Sequence, residues 1–281
     1  MGKYEEAENE FLESIAMDSV YGIPLINLGM VYMNTDRIAK AELVWKKSIS
    51  LDSTSVDALN NLGNLYVATG RYVEAEPFLK KAVMLDSTVA PAWNGLGIVY
   101  RNTDRYAEVE PALKKALSLD TTHVMILNSL GAWYNETRRY VEAEPLLKKS
   151  ISLDSTFANP RKHLGMVFLK TNRPDEAQQS FQKAIALNPN YAAAMLGMAC
   201  LLASEGKTDE ALAYVEQVIG KGSTSEQREG DKDAKSRRPK TTSERGSTFE
   251  QLESDENLAP LRATPEWKAL MKKYFPDKVK D

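Results

Sequence analysis

Asn60-Asn61-Leu62-Gly63-Asn64-Leu65-Tyr66 and Asn94-Gly95-Leu96-Gly97-Ile98-Val99-Tyr100 are two copies of one pattern. Leu62 and Leu96, Gly63 and Gly97, and Tyr66 and Tyr100 each lie 34 residues apart. The step continues in both directions. Leu28, Gly29 and Tyr32 come before; Leu130, Gly131 and Tyr134, then Leu164, Gly165 and Phe168, come after, and Ala199 takes the glycine's place in the next copy. A second series holds the same step: Ala7, Ala41, Ala75, Val109, Ala143, Ala177 and Ala211. A period of this length, kept without slippage, marks a stacked array of one supersecondary unit. Such an array offers extended surface rather than a chemical pocket.

The unit can be built from one copy. Leu59, Leu62, Gly63 and Tyr66 stand at i, i+3, i+4 and i+7, one face of a helix. Thr69-Gly70 ends it, since glycine reaches left-handed dihedrals at little cost. Tyr72, Ala75, Leu79, Ala82 and Leu85 form the apolar face of a second helix. Asp86-Ser87-Thr88 is expected to supply N-cap side chains for the helix that follows. Gly63 and Ala75 are small where two helices must approach closely. Pro77, Pro111 and Pro145 fall about one turn into three second helices, where each removes one backbone bond and bends the helix slightly.

This pattern resembles the tetratricopeptide repeat (TPR) family. Trp93, Leu96, Gly97 and Tyr100 fit its first helix, and Ala177, Phe181, Ala184 and Pro189 its second. The resemblance covers Met1 to Gly220. Arg161 stands at a usually apolar place, Val109 at a usually small one, and Asp-Ser or Asp-Thr replaces Asn-Pro in most linkers. The resemblance implies an all-α fold: a right-handed superhelical solenoid of antiparallel helix pairs, about six and a half repeats, with a C-terminal capping helix.

Three segments follow from the periodicity. Residues 1–220 are the repeat array. It starts on a half repeat, Tyr4, Ala7, Phe11, Ser14 and Met17 matching a second helix with no first helix before it. That start is expected to reflect truncation of a longer protein upstream of Met1, or a partner that supplies the missing helix. Residues 221–246 hold Ala234 as their sole apolar side chain and read as a flexible polar insertion. The insertion is flanked by near-copies, Gly222-Ser223-Thr224 and Gly246-Ser247-Thr248. Residues 247–281 read as a capping segment. Thr264-Pro265-Glu266 starts a helix, and Trp267, Leu270, Met271 and Tyr274 form its apolar face. Leu258-Ala259-Pro260-Leu261-Arg262 with Pro265-Glu266-Trp267 resembles the tail that closes many bacterial TPR arrays.

The totals exclude several functions. The 281 residues carry 36 Lys and Arg against 39 Asp and Glu, a formal net charge of −3, so neither nucleic acid nor an anionic membrane is an expected partner. One cysteine, Cys200, precludes an internal disulfide framework. The N-terminus lacks a signal peptide's apolar run, and no stretch reaches membrane-spanning length, so a cytoplasmic location is expected. Neither His123 nor His163 has metal ligands at a recognisable spacing, and Gly95-Leu96-Gly97 lacks the third glycine of a dinucleotide loop. The chain is not read as an enzyme. No cofactor and no metal are expected. The Lys46-Lys47, Lys80-Lys81, Lys114-Lys115 and Lys148-Lys149 pairs, whose first lysine follows Glu42, Glu76, Glu110 or Glu144 by four residues, read as a solvated outer helix face.

What remains is binding of a protein or peptide. In arrays of this resemblance the first helices line the concave side. The groove set is Asn27, Met30, Asn60, Asn61, Asn64, Asn94, Arg101, Asn128, Asn135, Lys162, His163 and Met166. Asn60, Asn94 and Asn128 are one period apart. A carboxamide both donates and accepts, so such a ladder can hold a peptide backbone without reading its side chains; equally, it can solvate the helix face. Lys162, His163 and Lys170 favour an acidic ligand segment toward the C-terminal half. The leading expectation is a scaffold that holds a partner's peptide segment. The alternative is a regulatory or self-association arm of a larger protein, contacting an upstream domain or a second copy through the N-terminal edge.

Overall fold

The computed structural model describes residues 2–17, 22–224, 249–250 and 252–279, and among them every regular element is helical. The half unit α1 (Gly2–Met17) comes first. Six helix pairs follow: α2 (Gly22–Asn34) and α3 (Ile38–Leu51), α4 (Val56–Ala68) and α5 (Tyr72–Leu85), α6 (Ala90–Asn102) and α7 (Tyr106–Leu119), α8 (Val124–Glu136) and α9 (Tyr140–Leu153), α10 (Ala158–Lys170) and α11 (Pro174–Leu187), and α12 (Ala192–Ser204) and α13 (Thr208–Thr224). A 3-10 turn (Glu256–Leu258), α14 (Ala259–Arg262) and α15 (Pro265–Tyr274) end the chain. The all-α array of TPR-like pairs is therefore present, with six and a half repeats and terminal helices. The helices gather into two compact units, Met1–Trp133 and Tyr134–Asp281, and the division falls inside α8. Residues 225–246 of the expected insertion lie outside the described residues, and α13 runs to Thr224, past the point where the periodicity ends.

In the first unit the periodic residues form the core. Leu59, Leu62, Leu65 and Tyr66 of α4 and Ala75, Leu79 and Ala82 of α5 are buried. The glycine series marks where helices touch. A Cβ on Gly63 would stand 2.6 Å from Leu79 Cγ, and one on Gly97 would stand 2.5 Å from Leu113 Cδ2. Ala41, Ala75 and Val109 have no exposed surface, so the larger valine is accommodated at its small-residue position.

In the second unit Ala143, Ala177 and Ala211 occupy the same buried place. The helix α12 is buried from Ala194 to Ala203, which is an apolar surface that needs cover. The 3-10 turn and α14 pack on α12, while α15 packs on α13. Leu252, Leu258, Leu261, Trp267 and Met271 are buried there, joined by Phe275. Thr264 Oγ1 accepts from Trp267 N at 3.2 Å, the helix start expected from Thr264-Pro265-Glu266. Tyr274 Oη and Lys273 Nζ both donate to Glu216 Oε1, at 2.9 and 2.7 Å, tying α15 to α13.

Turns repeat as faithfully as helices. Gly70 has φ 74°, as its place after α4 requires, and Asp36, Asp104, Arg138, Asn172 and Gly206 take the same left-handed conformation one period apart. The linkers correct one expectation. Asp86 does not cap the next helix. It follows the last residue of α5, and its Oδ1 accepts from Thr88 N at 2.8 Å and Thr88 Oγ1 at 2.6 Å. The N-cap of α6 is Val89, with no side-chain cap bond. Asp52 and Asp154 close their turns in the same way. A carboxylate two residues before an amide folds the local turn, and this bond competes with capping. Pro77, Pro111 and Pro145 lie inside α5, α7 and α9. The residues four earlier, Val73, Ala107 and Val141, are exposed, so water can take each freed carbonyl.

The lysines Lys46, Lys80, Lys114 and Lys148 are exposed as expected, while Glu42, Glu76 and Glu144 before them make a contact the sequence did not show. The i,i+4 bonds form, with Lys46 Nζ 2.6 Å from Glu42 and Lys80 Nζ 2.7 Å from Glu76. Yet the glutamate side chains are only 18% and 21% exposed, because each also binds an arginine 29 residues later. Arg71 Nη1 lies 2.7 Å from Glu42 Oε2, and Arg105 Nη1 lies 2.8 Å from Glu76 Oε1. Arg37 meets Glu8 at 2.7 Å, and in the second unit Arg173 meets Glu144 at 2.8 Å. Each guanidinium also covers an aromatic ring: Arg71 lies 4.1 Å from the centre of Tyr66, Arg105 4.5 Å from Tyr100, and Arg173 4.2 Å from Phe168. The hydrogen bond from Arg105 holds the Glu76 carboxyl down at about 2 despite its burial, and Arg71 does the same for Glu42. These struts fasten the second helix of one repeat to the turn of the next.

Candidate peptide-binding face

The first helices of the pairs carry the residues expected to line a groove. In the first unit α4 packs against α6. Asn60, Asn61 and Asn64 come together on α4. Asn64 Nδ2 donates to Asn60 Oδ1 at 2.8 Å and to Asn60 O at 3.0 Å, and Asn60 Nδ2 donates to Asn61 Oδ1 at 3.3 Å. Asn64 Oδ1 leans on the backbone of α6: a Cβ added to Gly95 would stand 2.7 Å away. Gly95, absent from the sequence-based set, is thus what lets the carboxamide approach the neighbouring helix. Its signal was present in Gly95-Leu96-Gly97, where only one of the two glycines serves the repeat pattern.

The remaining first-unit residues divide by exposure. Asn27 is exposed, and Met30 is 44% exposed, beside Ile23 at 65% on the same helix. Arg101 and Asn128 are half-buried. Asn94 is not open to solvent as the ladder expectation implied: it is 5% exposed. The Oδ1 atoms of Asn94 and Asn128 are both buried and have no hydrogen-bond partner. Two unsatisfied acceptors one period apart are unusual, since buried polar atoms are nearly always paired.

In the second unit Asn135 is half-buried on α8, and Lys162, His163 and Met166 are half-buried on α10. Lys162 Nζ lies 3.3 Å from Nδ1 and 3.2 Å from Nε2 of His163, so these two side chains form one cluster. Cys200 on α12 is 3% exposed, and burial pushes its thiol up to about 12. It stays protonated at neutral pH, as a small packing residue does and a nucleophile does not. Among the described residues no group of three or more His, Cys, Asp or Glu is placed to hold a metal, and no helix is long and apolar enough to cross a membrane.

A family model described as the cilia and flagella-associated protein 70 C-terminal domain, a TPR model, matches residues 2–198. The chain belongs to this family. Solved structures agree on the fold. The pilF protein of Pseudomonas aeruginosa is 24% identical, with a TM-score of 0.55 over 80% of this chain and 93% of its own. TTC0263, a thermophilic TPR protein of Thermus thermophilus, is 19% identical, with a TM-score of 0.55 over 65% of this chain and 99% of its own. The APC/C hetero-tetramer Cut9–Hcn1 gives a TM-score of 0.71 at 14% identity, over 98% of this chain and 46% of the matched one. No curated protein matches. At these identities the structures establish the TPR fold.

Proposed function

We propose that this TPR domain holds an extended peptide segment of a partner protein along its first-helix face, with no catalytic role. The observation that carries the reading is the pair of buried, unpartnered acceptors, Asn94 Oδ1 and Asn128 Oδ1, beside the Asn60–Asn64 network. A buried acceptor without a donor costs about 1–3 kcal/mol, and rotation of either carboxamide outward to meet a ligand's backbone N–H groups would relieve it. The partner's segment is read mainly by its backbone in the first unit. The second unit, taken by itself, carries Lys162 and Lys170 on α10, whose cationic side chains favour an acidic ligand segment. A cytoplasmic location belongs to the same reading.

The test begins with a partner recovered by the intact array and mapped to a peptide. Asn60→Ala, Asn94→Ala and Asn128→Ala are then combined and the affinity measured by titration calorimetry. Each lost bond contributes roughly 0.5–1.5 kcal/mol, so together they weaken binding by about one to three orders of magnitude. Thermal stability stays level, because two of the three side chains leave an unsatisfied acceptor behind when present. Unchanged affinity for a ligand mapped to this face defeats the reading.

The alternative, an arm that contacts another domain or a second copy, draws on α1. Tyr4 and Leu12 are 43% and 45% exposed there, an apolar surface of the kind that promotes association. Sedimentation of the chain with and without Leu12→Glu tests it; equal monomer content at high concentration counts against it.

A further inference from the structure

The repeats of the first unit differ at one place in a way that leaves a gap. In the α4/α5 pair Phe78 packs on Tyr66, with ring centres 5.7 Å apart. One period later the same two positions are Ala112 and Tyr100. Where the phenyl ring would stand there is instead an open pocket of about 430 Å³ between α6 and α7. Trp93, Tyr100, Pro111 and Ala112 form its apolar lining, and Glu108 and Lys115 are its charged rim. Its volume lies within the range of ligand sites. None of the asparagines of the first-helix face lines it, so it is a separate surface.

We propose that this pocket receives an aromatic side chain, phenylalanine by the precedent of Phe78, from an extended partner segment with a basic residue on one side of the ring and an acidic residue on the other. The chain itself shows the complement: the same helical framework, one repeat earlier, is filled by a phenyl ring lying tilted on tyrosine. The rim fixes the flanking charges. Glu108 and Lys115 are seven residues apart on α7 and both exposed, which places them about 10 Å apart along the helix. An extended peptide covers that length in about three to four residues, and a spacing of four puts both charges on the same face as the ring between them. A cation therefore meets Glu108 and a carboxylate meets Lys115 while the ring between them enters the pocket.

The probes are the blocked pentapeptides Arg-Ala-Phe-Ala-Asp and Asp-Ala-Phe-Ala-Arg, each with an Ala-for-Phe control, titrated into the full chain. The readout is the indole N–H resonance of Trp93, assigned with Trp93→Phe. A saturable shift with at least one phenylalanine peptide and none with the controls is expected. Ala112→Phe fills the pocket from within. It should melt no lower than the parent chain and weaken the peptide at least tenfold. Lys115→Glu, at an exposed helical site, should weaken it about threefold without changing the melt, and it decides the matter if Ala112→Phe fails to fold. The proposal is overturned if neither phenylalanine peptide gives a saturable shift. It is also overturned if both variants bind as the parent does, or if the peptides move the Asn60 and Asn94 side-chain amides in place of Trp93. Failure here leaves the asparagine face to be judged by its own triple variant.

Discussion

Gly97→Ala and Gly220→Ala are the same chemical change on two helices, and they should have opposite signs. Alanine is the better helix former by about 0.8–1.0 kcal/mol, so propensity alone favours both. At Gly97 the new Cβ would stand 2.5 Å from Leu113 Cδ2 and 2.7 Å from its Cγ. Ordinary carbon contacts lie near 3.5–4.0 Å, so the overlap is on the order of 1 Å. Leu113 is 2% exposed, so it can yield only by shifting within the packed helix pair. Overpacking of this kind costs about 1–3 kcal/mol. With about 2 kcal/mol as the central figure, Gly97→Ala should be destabilised by roughly 1 kcal/mol net. At Gly220 nothing lies within 4 Å of the added atom, so Gly220→Ala should gain up to about 1 kcal/mol. Thermal melts followed by circular dichroism would show a fall and a rise of about 2–4 °C. A double-mutant cycle isolates the cause: Leu113→Ala should cost less in the Gly97→Ala background than in the parent chain. The packing account is refuted if Gly97→Ala melts at or above the parent and the two changes are additive.

Acid should loosen the inter-repeat struts. The carboxyls of Glu42 and Glu76 sit at about 2 in the folded chain, against an ordinary 4.5, so the unfolded chain binds protons more readily. Their contribution is complete above about pH 4.5 and is lost as the pH falls toward 2; with screening it is about 1 kcal/mol each. Urea midpoints measured between pH 6 and 3 should fall less for Glu76→Gln than for the parent chain, and parallel curves would contradict the strut. Arg138 holds φ 60° at a place where Gly70 and Gly206 stand in other repeats. Arg138→Gly should therefore stabilise by about 0.5–1 kcal/mol, seen as a higher urea midpoint, and a lower one would show that the arginine side chain matters more than its backbone strain.

How much of this was legible in the sequence depends on the range of the interaction. A fixed step of 34 determined the helix pairs, the glycine contacts and the place of each turn, because every repeat meets the same neighbours and one copy explains the next. The capping tail was legible for the same reason: an apolar last helix needs a cover, and Trp267 and Met271 stood at helical spacing to provide it. The strut residues also recur with the period, yet Glu76 was read as the partner of Lys80 alone. Its second partner, Arg105, lies 29 residues away, and only the stacking of one repeat on the next brings them within 2.8 Å. The aspartates of the linkers went the same way. Asp86 has the chemistry of an N-cap, but the chain path after α5 puts Thr88 within its reach first.

The proposed binding face was decided least by sequence. Helical spacing put Asn60, Asn94 and Asn128 on one face, but it could not tell which would be covered. That depends on the neighbouring helices: Gly95 lets Asn64 close against α6, and Asn94 ends up 5% exposed with an acceptor unpaired. The pocket at Ala112 likewise follows from the replacement of one side chain, Phe78 in the preceding repeat, yet its shape exists only once Trp93 and Tyr100 are held beside it. Periodicity is a property of the chain and survives in the letters. Burial and open space are properties of packed surfaces, and they take form only when the repeats are stacked.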